Sequence, residues 1–123
     1  MMTTSELTGA PVKGRLIFLW ILSSLVALAF LGAGGSKLAG AAAMVGLFDK
    51  IGVGQWFRYF TGSLEVAAGI GLLLPRYAFY AAALLALVMV GAIIAHLTVL
   101  GSSPAVPVVL LILVTVVAYL RKP

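Results

Sequence analysis

The sequence predicts an all-α membrane protein, a bundle of four transmembrane helices with a short interfacial helix in the first loop. Three observations carry this. Apolar side chains make up 63% of the 123 residues, only 9% are charged, and mean hydropathy is +1.23, whereas soluble domains carry about 25% charged residues. Such a chain lacks the polar residues to coat a surface facing water, so its surface faces lipid. The apolar residues also fall into four runs, each too long for the about 9–11 residues of a barrel strand and close to the roughly 17–25 of a membrane-crossing helix.

The first run, Leu16–Ala33, follows Lys13 and Arg15. It exceeds the about 7–15 apolar residues of a signal peptide and is read as a retained span. The second, Tyr59–Leu74, is interrupted only by Glu65, and the third, Ala78–Leu100, only by His96. The fourth, Ala105–Leu120, ends at Arg121 and Lys122. The domain plan is therefore a tail at 1–15, spans at about 16–33, 59–74, 78–100 and 105–120 making up a membrane domain over 16–120, and a tail at 121–123.

The connections have distinct signatures. Pro75–Tyr77 is a tight stop between spans two and three. Gly101–Pro104 joins spans three and four, with Ser102 or Ser103 placed to cap the last helix and Pro104 in its first turn. Between spans one and two, Met44, Leu47, Phe48 and Ile51 recur at helical spacing with Asp49 and Lys50 off the stripe, the pattern of a helix lying in the interface. Trp56, Phe57 and Tyr59 mark headgroup level.

An even number of spans puts both termini on one side. That side collects Lys13, Arg15, Arg76, Arg121 and Lys122; the other collects Lys37, Lys50 and Arg58. The bias predicts cytoplasmic termini, with the bacterial inner membrane as location. The net charge of +5 is spread singly between apolar runs, which fits topology signals and anionic lipid rather than nucleic acid.

No cysteine is present, which removes disulfides, thiolate chemistry, iron–sulfur clusters and cysteine zinc sites. One histidine and one membrane acid are too few for a zinc site, so no metal and no covalently bound cofactor are expected. What the topology does offer is three ionisable groups at one depth. Lys37 falls just beyond the outer end of span one. Glu65 lies about 9 Å below the outer end of span two, and His96 about 6 Å below that of span three, at 1.5 Å per residue. Singly, Lys37 reads as a snorkelling lysine and His96 as a core histidine. An acid inside a bilayer, however, faces the bundle interior and pairs, which makes Glu65 a functional candidate.

Gly62 and Gly69 share the face of Glu65 and leave space around it; Ser63, Ala67 and Gly71 form a second stripe suited to helix packing. Met89 lies on the face of His96, and Arg58 is a headgroup contact or a second partner for Glu65. The expected site is a cavity where Lys37, Glu65, His96, Arg58 and Met89 meet a small, flat, apolar ligand, with Glu65 and His96 as a proton relay. A quinone is the candidate ligand, its carbonyl oxygens meeting His96 and Lys37.

The stretches Phe30–Leu38, Gly62–Pro75 and Met89–His96 resemble the DoxX-like family of small membrane proteins. The resemblance rests on the order G-x-x-K-L at Gly34–Leu38, G-x-x-E at Gly62–Glu65 and G-A-x-x-x-H at Gly91–His96. It implies a four-helix membrane bundle in which Lys37, Glu65 and His96 match the family's polar positions. The family includes a subunit of a thiosulfate:quinone oxidoreductase and proteins tied to oxidative or thiol stress, and related eukaryotic members act as assembly chaperones for ligand-gated channels. Without cysteine, direct thiol exchange is closed to this chain.

Three functions follow as expectations. The first is a quinone-site or accessory subunit supporting a membrane oxidoreductase. The second is a non-enzymatic scaffold or assembly chaperone, with a membrane-protein partner or a second copy packed against its spans. The third, a small proton-coupled exporter, is the weakest, because the acid sits on span two and the charge bias opposes a dimer of mixed orientation.

Overall fold

The computed structural model describes residues 10–123; the first nine residues of the expected N-terminal tail lie outside it. Five helices follow in order: α1 (Ala10–Ala39), α2 (Ala42–Ile51), α3 (Gln55–Leu72), α4 (Ala78–Ala95) and α5 (Ala105–Arg121). A π-helical turn at His96–Leu100 extends α4. The described residues contain no strand.

Two helical stretches are long and apolar enough to cross a membrane, Lys13–Ala39 and Ala78–Leu100, each containing an 18-residue window of mean hydropathy 2.5. At 1.5 Å per residue the first is about 40 Å long, more than a hydrocarbon core of about 30 Å, so a span of this length tilts or projects. The other two major helices, α3 and α5, have 18 and 17 residues. The four expected spans thus resolve into two long apolar helices and two shorter ones.

α1 packs chiefly on α3 and α4 on α5; α3 against α4 and α5 against α1 close the ring. Phe30 of α1, Leu72 of α3, Leu85 of α4 and Val114 of α5 are fully buried where the four meet. The outer surface is apolar as well. Leu28 is 65% exposed, Leu87 71% and Val106 69%, and so continuous an apolar exterior marks a membrane-facing surface.

Three helices begin or end differently from expectation, while the third span keeps its expected bounds, Ala78–Leu100, and differs only in its winding. α1 continues six residues past Ala33, because Gly34, Gly35 and Ser36 adopt helical backbone; Lys37 lies in the last turn of the helix rather than beyond it. α3 starts at Gln55, not Tyr59, and ends at Leu72, where Leu73 and Leu74 close turns onto Ile70 and Gly71 ahead of Pro75. The third span changes from α to π winding at His96. Pro104 occupies the cap position of α5 instead of its first turn, and Ser103 Oγ accepts from the Ala105 amide at 3.3 Å.

Residues 42–51 do form a helix. Phe48 is buried, Met44, Leu47 and Ile51 are half-buried, and Asp49 and Lys50 are exposed, so the apolar stripe faces the bundle. Glycines allow the chain to reverse at each end of α2, at Gly40 (φ +73°) and at Gly52 (φ +81°) and Gly54 (φ +121°).

Candidate functional site

The site begins with a close approach of backbones. A Cβ on Gly34 of α1 would lie 2.7 Å from the Gly62 carbonyl oxygen of α3, and a Cβ on Gly62 would lie 2.9 Å from Lys37 Cβ and 3.0 Å from the Gly34 carbonyl oxygen. Only glycine at both positions lets the helices touch here. One turn beyond Gly34 stands Lys37, and one turn beyond Gly62 stands Glu65. The contact therefore brings their side chains together, with Lys37 Nζ 2.7 Å from Glu65 Oε1.

Glu65 is 1% exposed. The Lys37 ammonium, 2.7 Å from its Oε1, is the charged partner it has among the described residues. A buried charge demands such a counter-ion, because removing one partner strands the other in low dielectric. Lys37, with its side chain 15% exposed, keeps some contact with the surroundings.

Arg58 is placed differently from the sequence reading. It is 5% exposed, does not pair with Glu65 and does not line the cavity described next. Its Nη1 donates to the Lys37 carbonyl at the end of α1, its Nε donates to Gln55 Oε1 at 2.7 Å, and its guanidinium lies 4.3 Å from the centroid of the Tyr59 ring. A C-terminal carbonyl of α1 thereby gains a charged donor.

A cavity of about 520 Å³ opens beside the ion pair. Lys37 and Glu65 form one part of its wall and Met89 and His96 another; Met44, Leu47, Phe48 and Ile51 of α2 line a third. The rest of the wall is almost wholly apolar. His96 Nδ1 is hydrogen-bonded to Ser102 Oγ at 2.7 Å, which leaves Nε2 as the ring nitrogen available to a ligand. Ser102 is thus engaged by His96 and does not cap α5. Lys37, Glu65, Met89 and His96 therefore share one cavity, but only Lys37 and Glu65 form an ion pair.

The packing glycines divide between neighbours. A Cβ on Gly69 would meet Leu31 at 3.3 Å, and one on Gly71 would meet Ala81 Cβ at 2.9 Å, so Gly69 faces α1 and Gly71 faces α4. Ser63 and Ala67 are exposed and contribute no packing inside the bundle, contrary to expectation. The α-helical period turns them to the outer side of α3, away from the face shared by Gly62, Glu65 and Gly69.

Sequence reasoning misses Gln55. Its Nε2 donates to the Val45 carbonyl at 3.0 Å and to Asp49 Oδ1 at 3.1 Å, while its Oε1 holds Arg58. The i,i+3 spacing of Gln55 and Arg58 is a usable signal. Lys50, whose Nζ donates to the Leu100 carbonyl at 3.3 Å, carries none. Among the described residues no group of three His, Cys, Asp or Glu side chains stands together as a metal site.

An apolar-surfaced helical bundle with two helices long enough to cross a bilayer is compatible with a membrane protein. The DoxX-like family model matches residues 21–119, and the chain belongs to that family. No curated protein and no solved structure matched the chain.

Proposed function

We propose that this DoxX-like chain is a four-span protein of the bacterial inner membrane, both termini cytoplasmic, that holds a neutral lipophile in its outer half. The ligand class is a quinone, and the role is that of a quinone-site or accessory subunit of a membrane oxidoreductase. One observation carries the reading: a cavity of about 520 Å³ has a mostly apolar wall that carries the Lys37–Glu65 pair and His96 as its ionisable groups. That volume is typical of small-molecule sites, which are mostly apolar with a few convergent polar groups.

Lysine and glutamate cancel within the site, so an uncharged ligand enters at the least electrostatic cost. A ring carbonyl would accept from Lys37 Nζ and a second from His96 Nε2. Glu65 and His96 would carry protons to and from such a ligand, imidazole being the commonest proton shuttle among side chains. The widened turn at His96 agrees with this, since π-helical turns are frequent at functional sites.

The test is the quinone content of purified protein, by mass spectrometry of its lipid extract, beside Glu65→Gln and His96→Ala. Quinone enriched in the unchanged chain and lost from both variants is expected. Equal content in all three refutes the site.

A second reading is favoured by the exposed Ser63 and Ala67 on the outer side of α3. Small residues on a lipid-facing surface let another helix approach closely, as a scaffold or assembly chaperone requires. It is supported by a stoichiometric partner in mild detergent that Ser63→Leu and Ala67→Leu expel, and refuted if no partner accompanies the chain.

A further inference from the structure

Resting on the ligand-site reading above, we infer that α2 is a lid over the cavity and that Gln55 and Arg58 are positioning residues coupling its closure to the Lys37–Glu65 pair. Two sets of observations meet here. The first concerns α2 itself. Met44, Leu47, Phe48 and Ile51 line one side of the cavity, and glycines at positive φ flank the helix, Gly40 on one side and Gly52 and Gly54 on the other. Such positions tolerate the backbone rotation that a moving element needs.

The second is a series of polar contacts from α2 to the site, which passes through Lys37 from its backbone carbonyl to its side chain. The Val45 carbonyl and Asp49 Oδ1 of α2 both accept from Gln55 Nε2, at 3.0 and 3.1 Å. Gln55 Oε1 accepts from Arg58 Nε at 2.7 Å. Arg58 Nη1 donates to the Lys37 carbonyl, and Lys37 Nζ stands 2.7 Å from Glu65 Oε1. Every link joins different residues, and among the described residues Gln55 is the one side chain that bonds both α2 and Arg58. When α2 lifts, Gln55 loses both bonds to it, and the support of Arg58 against the end of α1 weakens. By linkage, loosening the ion pair makes lifting easier to the same degree.

The geometry also separates the two halves of the device. In Gln55→Glu a carboxylate still accepts from Arg58, but it has no hydrogen to give Val45 or Asp49 and repels Asp49. The lid then keeps its Lys50 Nζ bond to the Leu100 carbonyl but loses its latch to Gln55, while the support of Lys37 stands. Arg58→Lys does the reverse, since one ammonium cannot reproduce the fork that spans Gln55 and the Lys37 carbonyl.

The experiment exploits a chain with no cysteine. Leu47→Cys supplies the sole thiol, on the cavity side of α2, and its alkylation rate by N-ethylmaleimide in detergent reports opening without any ligand. A separate Val117→Cys chain, with its thiol at a position 0% exposed in the core, reports global unfolding. Adding Gln55→Glu is expected to speed alkylation of the lid thiol about tenfold, the loss of roughly one to two hydrogen bonds, with no change at the core thiol. Glu65→Gln and Arg58→Lys are each expected to speed it about threefold, again with the core thiol unchanged. Gln55→Glu together with Glu65→Gln should then fall short of the product of the two effects, because both act through one chain of contacts.

An unchanged rate in Gln55→Glu overturns the latch. Acceleration in Gln55→Glu with unchanged rates in both Glu65→Gln and Arg58→Lys overturns the coupling, as does a fully multiplicative double variant. Acceleration that appears equally at the core thiol assigns the effect to unfolding and overturns the lid. None of these outcomes depends on whether a quinone binds.

Discussion

Gly34 and its neighbour Gly35 give the sharpest test of how the site is assembled. Both are helical, and neither lies at positive φ, so alanine gains about 0.5–1 kcal/mol of helix propensity at each. Their surroundings differ completely. A Cβ on Gly35 meets nothing within 4 Å, whereas one on Gly34 lies 2.7 Å from the Gly62 carbonyl oxygen, 2.8 Å from Val66 Cγ2 and 3.0 Å from Glu65 Cβ. Carbon atoms rest at about 3.5–4.0 Å, so α1 and α3 must separate by about 0.7 Å or more to admit the methyl group. Overpacking of this kind costs about 1–3 kcal/mol. The propensity gain is common to both variants, so the difference between them isolates the steric cost. Reversible denaturant unfolding in detergent, followed by circular dichroism, should place Gly34→Ala about 1–3 kcal/mol below Gly35→Ala. The same separation lengthens the Lys37–Glu65 contact, so Gly34→Ala should also release bound ligand while Gly35→Ala retains it. Equal stability of the two variants refutes the close approach as the basis of the site.

Three further outcomes follow. Lys37→Met strands a carboxylate that is 1% exposed and should cost about 3–5 kcal/mol; Glu65→Leu should cost less, because a lysine at a helix end can snorkel, and the double variant should recover most of either loss in the same unfolding assay. His96 is the one histidine in the chain, so nitrogen-15 spectra of labelled protein carry a single imidazole: a water-soluble quinone should move Nε2 and leave Nδ1 in place, and Ser102→Ala should move Nδ1 first. For topology, a thiol introduced at Val53 should react with an impermeant maleimide from outside intact cells, while a reporter fused after Pro123 should be active only in the cytoplasm; the reverse pattern rejects the assigned orientation.

Much of the fold is legible in the apolar runs, because chain that faces lipid has few other solutions. The α2 stripe is legible for the same reason: Met44, Leu47, Phe48 and Ile51 repeat at the spacing of one helical face. The site is legible only in part. Residue counting along a helix gives height, and it sets Lys37, Glu65 and His96 at similar depth; it gives no rotation about the helix axis, so it does not say which of them meet. Ser63 and Ala67 illustrate the gap. Two faces of α3 carry small residues, and only the position of Gly34 across the contact selects the face with Gly62 and Glu65. Arg58 is unreadable for another reason. Its principal partner is the Lys37 backbone carbonyl, and every residue has one, so no sequence pattern announces it. α1 runs on past the apolar run that ends at Ala33 because Gly34 serves close packing inside it.

If a lipophile occupies the cavity beside Lys37 and Glu65, photo-crosslinking with an azido-quinone in native membranes, followed by peptide mapping, will find it there. Adducts are expected to concentrate in the segments that wall the cavity, 44–51, 60–65 and 88–96, and to be lost in Glu65→Gln. Adducts spread instead over outward-facing residues such as Leu25, Leu28 and Leu87, in proportion to their exposure and indifferent to Glu65, would contradict that occupancy.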